Sequence, residues 1–276
     1  MSAMAITFAL FAAILHAVWN AFLRSGADRL WTVTVMSLVM ALVAMPFALI
    51  FPLPLAPAWP YLLLSSCLQV GYSVFLVAAY RYGELGQVYP VIRGSVPLLV
   101  TFGGFAVASE HLTAVSLIGV ILVALGIMSL SLGRGRATTT SMLFALMTGM
   151  FIASYVTIDA IGVREAGSAG VYTAWICLIY GSLMVATFVA VRGKFTLDVR
   201  APEAIHAMAG GMVSLLAYGA VIAALALGPA GPTTALGETS VVFAALIGWL
   251  FLGEVLTLRR ITACVVVTAG AICLAY

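Results

Sequence analysis

Long runs of apolar residues follow one another from the first residues of the chain to the last. Each run is close to the roughly 20 residues that a helix needs to cross a hydrocarbon core about 30 Å thick. The runs lack the alternation of barrel strands, and backbone polar groups in lipid must be hydrogen-bonded internally. The pattern therefore predicts an all-α integral membrane protein with ten transmembrane helices, over residues 3–23, 31–50, 61–80, 88–107, 114–132, 142–163, 171–191, 204–227, 233–251 and 261–276.

The composition excludes a soluble protein. Of the 276 residues, 64% are hydrophobic and 8% are charged, whereas about 25% of the residues in a soluble domain are charged. The net charge of +3 is small and dispersed, so no nucleic acid partner is expected. The lipid bilayer is the expected surrounding of nearly the whole chain, and a monomer is the default oligomeric state.

The chain is predicted to contain two copies of one five-helix unit. The most linker-like stretch, GRGRATTT, spans residues 133–140 and leaves five predicted helices on each side. A shift of 144 residues places Glu110 on Glu254 and Thr113 on Thr257, and over residues 110–130 it matches six of 21 residues. We therefore divide the chain into repeats at 1–133 and 141–276 with a linker at 134–140. Because five is odd, the repeats insert with opposite orientations, which favours a central site between them.

Two corresponding segments, SVPLLVTFGGFAVASEHLT and TSVVFAALIGWLFLGEVLT, carry a resemblance to a known family. With HAVWNAFLR and YRYGELGQVYPVIRG, they resemble the EamA-type ten-helix members of the drug/metabolite transporter superfamily. Within that family, the amino acid exporters of the YddG type are the nearest comparison. One difference is Ser109, where the family has a glycine before the glutamate, whereas the second half keeps Gly253 and Glu254.

The resemblance implies ten helices around a central cavity and a secondary transporter that works by alternating access. It implies a small-molecule substrate, with amino acid export across the cytoplasmic (inner) membrane as the first expectation. Organic cations, drugs and nucleotide sugars stay open as alternatives. No enzymatic activity is expected, because the sequence has no HExxH motif, no paired catalytic carboxylates and no spacing typical of a Ser/His/Asp set. No metal or organic cofactor is expected.

Arg93 and Glu238 are ionisable residues inside predicted helices, where an unpaired charge is costly and marks a functional candidate. The shift of 144 residues places Arg93 on Gly237, next to Glu238, so we expect the two charges to face each other across the cavity. In one hypothesis Arg93 binds a substrate carboxylate through its planar fork and Glu238 attracts an ammonium group. In the alternative, the two residues only pair with each other and hold the halves together.

The first helix supplies a second group of candidates. His16 and Asn20 are four residues apart on one helix face, with Trp19 beside them, so this face is expected to line a polar cavity. The alternative is hydrogen bonding between helices, with Trp19 at the membrane interface. Other candidates for substrate contact, with ordinary packing as the alternative, are Gln69, Tyr72, Tyr89 and Tyr218.

Prolines and further carboxylates complete the expectations. Pro90 and Pro97 are expected to interrupt the fourth helix and to free carbonyl groups near the site. Asp159 is expected at the membrane interface near Arg164, and Glu110 is expected to cap a helix.

The orientation in the membrane stays open. Of the 12 Lys and Arg residues, ten fall in one set of alternate connections, Arg164 lies alone in the other set, and Arg93 lies within a helix. The positive-inside rule then places both termini outside, whereas the resemblance implies cytoplasmic termini. Both interpretations place the two termini on the same side.

Overall fold

The computed structural model of the chain describes residues 1–25, 28–82, 85–107, 110–131, 138–252 and 257–275. Within those ranges the side chains of residues 20–21, 23–25, 80–82, 85–87, 244, 247–248 and 250–252 are not described. Most of the predicted linker and Glu254 lie outside the described residues. The described α-helices are α1 (Ala3–Ser25), α2 (Arg29–Ile50), α3 (Trp59–Tyr82), α4 (Leu85–Val107), α5 (Ala114–Met128), α6 (Thr139–Glu165), α7 (Ala169–Arg192), α8 (Pro202–Leu227), α9 (Ala230–Gly237), α10 (Ser240–Leu252) and α11 (Leu258–Ala275).

The described helices form ten membrane crossings. Eight of the helices, α2 to α8 and α11, are each long and apolar enough to cross a membrane. Helix α1 has 23 residues, so it reaches about 34 Å at 1.5 Å per residue. Helices α9 and α10, with 8 and 13 residues, follow one another and reach about 30 Å together. The predicted ten-helix fold is confirmed, and its ninth crossing consists of two helices.

The outer surface of the bundle is suited to lipid. Large apolar side chains point outward along its whole length, including Leu49 at 80%, Phe102 at 72% and Leu258 at 76% exposure. In water such a surface would cause aggregation, but hydrocarbon chains solvate it.

At the beginning of the second crossing, Asp28 accepts hydrogen bonds from the backbone of Leu30 and Trp31 and so caps α2.

The packing of the helices is two-fold symmetric. Helix α3 packs on α6 as α8 packs on α1, and α2 packs on α8 as α7 packs on α3. Helix α4 packs on α6 as α9 and α10 pack on α1, while α2–α7 and α5–α11 join counterparts directly. The counterparts are α1 and α6, α2 and α7, α3 and α8, α4 and the α9–α10 pair, and α5 and α11. Exchanging every helix for its counterpart turns each contact into the other contact of its pair. The two five-helix repeats are therefore related by a two-fold axis, which for an odd number of crossings means inverted repeats.

Close contacts between α5 and α11 show the same symmetry at the level of residues. A side chain at Gly126 would meet Cγ2 of Val267 at 2.8 Å, and a side chain at Gly270 would meet Cγ2 of Val123 at 2.9 Å. The shift of 144 residues carries Gly126 to Gly270 and Val123 to Val267. The sequence repeat and the structural repeat thus coincide here, and each glycine allows the opposite helix to approach closely.

Two expectations about helix breaks were wrong. Helix α4 runs without interruption through Pro90 and Pro97, whereas the ninth crossing, predicted as one helix over 233–251, breaks at Glu238 and Thr239. Gly237 weakens the helix there, and the hydroxyl of Thr239 donates to the carbonyl of Leu236 at 2.6 Å, competing with the backbone ladder. The break therefore lies in the second half, directly after Gly237, the position that corresponds to Arg93.

Candidate functional site

A cavity of about 100 Å³ lies between the two repeats. Helices α1 to α4 of the first repeat and α6 to α8 of the second contribute to its wall. A buried water needs about 10–15 Å³, so the cavity has room for several waters or for a small solute. The polar and aromatic side chains of the wall are His16, Trp19, Arg29, Ser37, Gln69, Tyr72, Ser73, Arg93, Tyr155, Tyr180, Ser214 and Tyr218.

Arg93 forms a buried ion pair with Glu238. Its Nη1 lies 3.0 Å from Oε1 of Glu238, and the two side chains are 13% and 4% exposed. Tyr89, one helical turn before Arg93, accepts a hydrogen bond from Nε at 3.2 Å. The two charges that the sequence placed in corresponding positions are thus in direct contact, and the pair joins α4 to the break between α9 and α10.

The pair presents its positive end to the cavity. Arg93 belongs to the cavity wall, while Glu238 and Tyr89 lie behind it. The second guanidinium nitrogen, Nη2, forms no hydrogen bond with the described residues. Oxygen Oε2 of Glu238 is buried and also has no partner among them. The available charged donor at the wall is therefore an arginine N–H, and no acidic side chain belongs to the described wall.

His16 and Trp19 reach the same cavity from α1. Their rings lie edge to face with centroids 5.8 Å apart, and Nδ1 of His16 donates to the carbonyl of Ala12 at 3.0 Å. The indole nitrogen of Trp19 is buried without a hydrogen-bond partner in the described part of the chain. The side chain of Asn20, the third candidate of this group, lies outside the described residues.

Tyrosines and one glutamine form another part of the wall. The rings of Tyr72 and Tyr155 lie 5.9 Å apart at 54°. The amide nitrogen of Gln69 donates to Ser65 at 3.2 Å and to the hydroxyl of Tyr218 at 3.1 Å. Gln69, Tyr72 and Tyr218 were all candidates from the sequence, and the structure brings them to one cavity with Arg93.

The expectation that Asp159 lies at the interface beside Arg164 was wrong. Asp159 is 1% exposed, and its carboxyl group accepts hydrogen bonds from the hydroxyls of Tyr172 at 2.8 Å and Tyr218 at 2.5 Å. It stands directly behind the wall of the cavity, because Tyr218 belongs to that wall. Helices α7 and α8 both pack against α6 and bring their tyrosines to this carboxyl group, which buries it.

Arg164 and Glu110 instead join the repeats at the beginning of α9. Both carboxylate oxygens of Glu110 accept from the backbone nitrogen of Ala230, at 3.1 and 2.9 Å, and so cap α9 as predicted for a capping residue. Nη2 of Arg164 donates to Glu110 at 3.2 Å and to the carbonyl of Gly228 at 3.0 Å. Helix α9 is therefore held by ionic contacts at both of its ends, Glu110 at one and Glu238 at the other.

Several wall residues were not identified from the sequence: Arg29, Ser37, Ser73, Tyr155, Tyr180 and Ser214. Tyr155 and Asp159 are four residues apart, so a search for polar residues on one face of the sixth predicted helix would have found both. Arg29 was assigned to a connection because it precedes the apolar run. In the described part of the chain, no group of three His, Cys, Asp or Glu side chains is arranged to hold a metal ion.

Comparisons with known proteins identify the repeated unit. The model of the EamA-like transporter family matches residues 3–132 and again residues 139–276. A solved structure described as the crystal structure of a protein has a TM-score of 0.79 with this chain, covering 99% of it and 96% of the other chain. The sequence identity of that pair is 17%, so the likeness shows a shared fold. No curated protein has a matching sequence.

Proposed function

The chain belongs to the EamA-like transporter family, and from that premise we propose that it is a secondary transporter of amino acids, with export across the cytoplasmic membrane as its direction. The coarser part of this statement, a multi-pass membrane protein that transports small solutes, follows from the family. The finer part rests on the cavity and its charges.

The observation that carries the proposal is that Arg93, and not Glu238, belongs to the cavity wall. A guanidinium with a spare N–H binds a carboxylate through charge-assisted hydrogen bonds. In the sequence-based hypothesis Glu238 attracts the substrate's ammonium group. Because its carboxylate faces Arg93 and is 4% exposed, we assign it the part of orienting the guanidinium, together with Tyr89.

The same observation disfavours the alternative of an organic cation or drug. Such a substrate would have to lie beside the guanidinium of Arg93 without a carboxylate of its own to bind that guanidinium. The aromatic rings of Trp19 and Tyr72 offer cation–π contacts of only about 0.5–2 kcal/mol. An amino acid supplies the carboxylate that Arg93 can bind.

The test is counterflow in proteoliposomes. Vesicles loaded with an unlabelled mixture of amino acids should take up a radiolabelled amino acid from outside, whereas vesicles loaded with tetramethylammonium should not exchange that cation. Exchange of tetramethylammonium without exchange of any amino acid would overturn the proposal. A pair of variants adds the residue-level test. Arg93→Lys keeps the charge but loses the fork, and we expect the half-saturation concentration to rise about tenfold or more.

The matched control for this variant is Arg200→Lys. Arg200 is exposed in the connection before α8 and does not belong to the cavity wall. The same chemical change there should leave counterflow at the level of the unaltered protein. Equal effects of both substitutions would mean that the loss at Arg93 is not specific to the cavity.

A further inference from the structure

A carboxyl group without a basic partner lies directly behind the cavity. Asp159 is 1% exposed, and in the described part of the chain no Lys, Arg or His nitrogen lies within 4.0 Å of it. Arg164, the basic residue nearest to it along α6, is engaged by Glu110 and Gly228. A buried carboxylate that lacks a counter-ion is costly, so its negative charge needs either hydrogen-bond donors, a proton or another cation.

The hydrogen bonds around Asp159 are directed towards it. Tyr218 accepts a hydrogen bond from the amide nitrogen of Gln69 at 3.1 Å and donates its own proton to the carboxyl group. Tyr172 donates to the other carboxyl oxygen. These donors stabilise the ionised form in part, but they bring no positive charge. The group is therefore arranged so that a cation in the adjacent cavity would change how strongly it holds a proton.

The titratable groups packed around this carboxyl group carry no net charge when they are in their ordinary protonation states. They are Tyr61 and Tyr72 on α3, Tyr155 on α6, Tyr172 and Cys177 on α7, and Tyr218 on α8. The basic side chains on the cavity wall are Arg93 on α4, which is paired with Glu238, together with Arg29 on α2 and His16 on α1. Asp159 is therefore the carboxyl group beside the cavity whose charge is not already balanced by a cation among the described residues.

The cavity offers a place for an ammonium group in front of Asp159. The orientation of the Gln69 side chain follows from its two donated bonds, to Ser65 and to Tyr218. This orientation leaves the amide oxygen of Gln69 without a hydrogen bond to the described residues, and Gln69 lines the cavity. The wall thus offers a hydrogen-bond donor at Arg93 and an acceptor at the amide oxygen of Gln69. The donor suits the carboxylate of a zwitterion, and the acceptor suits its ammonium group.

We propose that Asp159 binds the proton that drives transport, and that it loses this proton when the ammonium group of an amino acid occupies the cavity beside Gln69 and Tyr218. This inference rests on the proposed amino acid transport and specifies how that transport is driven. The step is an exchange: the carboxyl group releases one proton to the water of the cavity as the ammonium group arrives, and it regains one proton after the amino acid leaves. One proton therefore crosses in one direction for each amino acid that crosses in the other.

The first experiment imposes a pH gradient on proteoliposomes that contain the full chain. With the membrane potential held at zero by potassium and valinomycin, vesicles with an acidic interior should accumulate external radiolabelled amino acid. One-for-one exchange gives about tenfold accumulation for a gradient of one pH unit. Accumulation in vesicles with an alkaline interior, or none in either case, would overturn the inference. Counterflow without a pH gradient is measured in parallel. Amino acid transport that does not respond to the pH gradient contradicts only the proton site. The absence of counterflow contradicts the proposed function itself.

The variant Asp159→Asn tests the residue. It should continue counterflow with a raised half-saturation concentration but should lose all accumulation in response to the pH gradient. Asp198→Asn, the same change at an exposed position before α8, should accumulate as the unaltered protein does. Accumulation that persists in Asp159→Asn would refute the assignment.

A measurement on the unaltered protein covers the case in which Asp159→Asn fails to fold. Addition of an amino acid to the purified protein in weakly buffered detergent solution should release about one proton per bound solute, detected with a pH indicator. Binding without release of protons would refute the exchange.

Discussion

Removing the buried ion pair one charge at a time separates its structural role from its role in transport. Arg93→Met would leave the carboxylate of Glu238, 4% exposed, with neither oxygen paired, because Oε2 already lacks a partner among the described residues. Loss of one partner of a buried pair costs about 3–5 kcal/mol. Glu238→Gln should cost less, because Arg93 keeps its hydrogen bond with Tyr89 and its access to the cavity.

The double variant Arg93→Met with Glu238→Gln removes both charges at once. No isolated charge is then buried, so the free energy of unfolding should return to within about 1 kcal/mol of that of the unaltered protein. The assay is equilibrium unfolding in detergent micelles, followed by circular dichroism, for the two single variants and the double variant. Tyr89→Phe is the control for loss of one neutral partner and should cost about 1 kcal/mol.

Additive effects of the two single substitutions would refute the argument, since they would mean that the charges do not depend on each other. Transport by the double variant then decides the second question. A stable double variant without counterflow supports binding of the substrate carboxylate by Arg93. A stable double variant that exchanges amino acids at the normal rate would show that the pair only holds the halves together.

Three further predictions concern other parts of the molecule. Glu110→Gln removes the charge that caps α9 and the ion pair with Arg164. It should lower the free energy of unfolding by about 1–3 kcal/mol in the same micelle assay. If the two residues act together, adding Arg164→Met to this variant should lower the free energy of unfolding little further. Gly270→Val places a side chain whose Cβ alone would lie 2.8 Å from the carbonyl oxygen of Gly119. Helices α5 and α11 should therefore separate, and the free energy of unfolding should fall by about 1–3 kcal/mol. Val191→Ala, at an exposed position, is the control and should change the free energy of unfolding little. Treatment with a chelator followed by dialysis should leave counterflow unchanged, and a loss that added metal restores would contradict the expectation of a transporter without a metal cofactor.

Six of the twelve polar and aromatic side chains on the cavity wall were candidates from the sequence, because polar side chains are rare inside its apolar runs. A glutamine, a histidine or a tyrosine in such a run needs a partner or a water-filled space, so Gln69, His16 and Tyr218 stand out without knowledge of the fold. Tyr180 was missed because a tyrosine also packs well in an apolar core, whereas Tyr155 could have been found from its spacing of four residues to Asp159.

The errors have a different origin, since each depends on contacts that the sequence does not contain. Asp159 lies six residues before the end of α6, and distance along the helix suggested the interface. The hydroxyls that bury it come from Tyr172 on α7 and Tyr218 on α8, and only the packing of three helices brings them together. The break at Glu238 was hidden because apolar residues continue on both sides of it, while the cause is local competition by the hydroxyl of Thr239.

The inverted repeat explains why two charges far apart in the chain meet at the cavity. Residues at equivalent positions of the two repeats are related by the two-fold axis, so equivalent residues near that axis are necessarily close to each other. Arg93 corresponds to Gly237, one residue before Glu238, and the two side chains are 3.0 Å apart. The two repeats differ in backbone conformation at this point, because α4 is continuous at Arg93 whereas the ninth crossing breaks at Glu238. A duplicated unit thus supplies the proximity of the two positions, and the divergence of its copies supplies an arginine on the cavity wall with a carboxylate behind it.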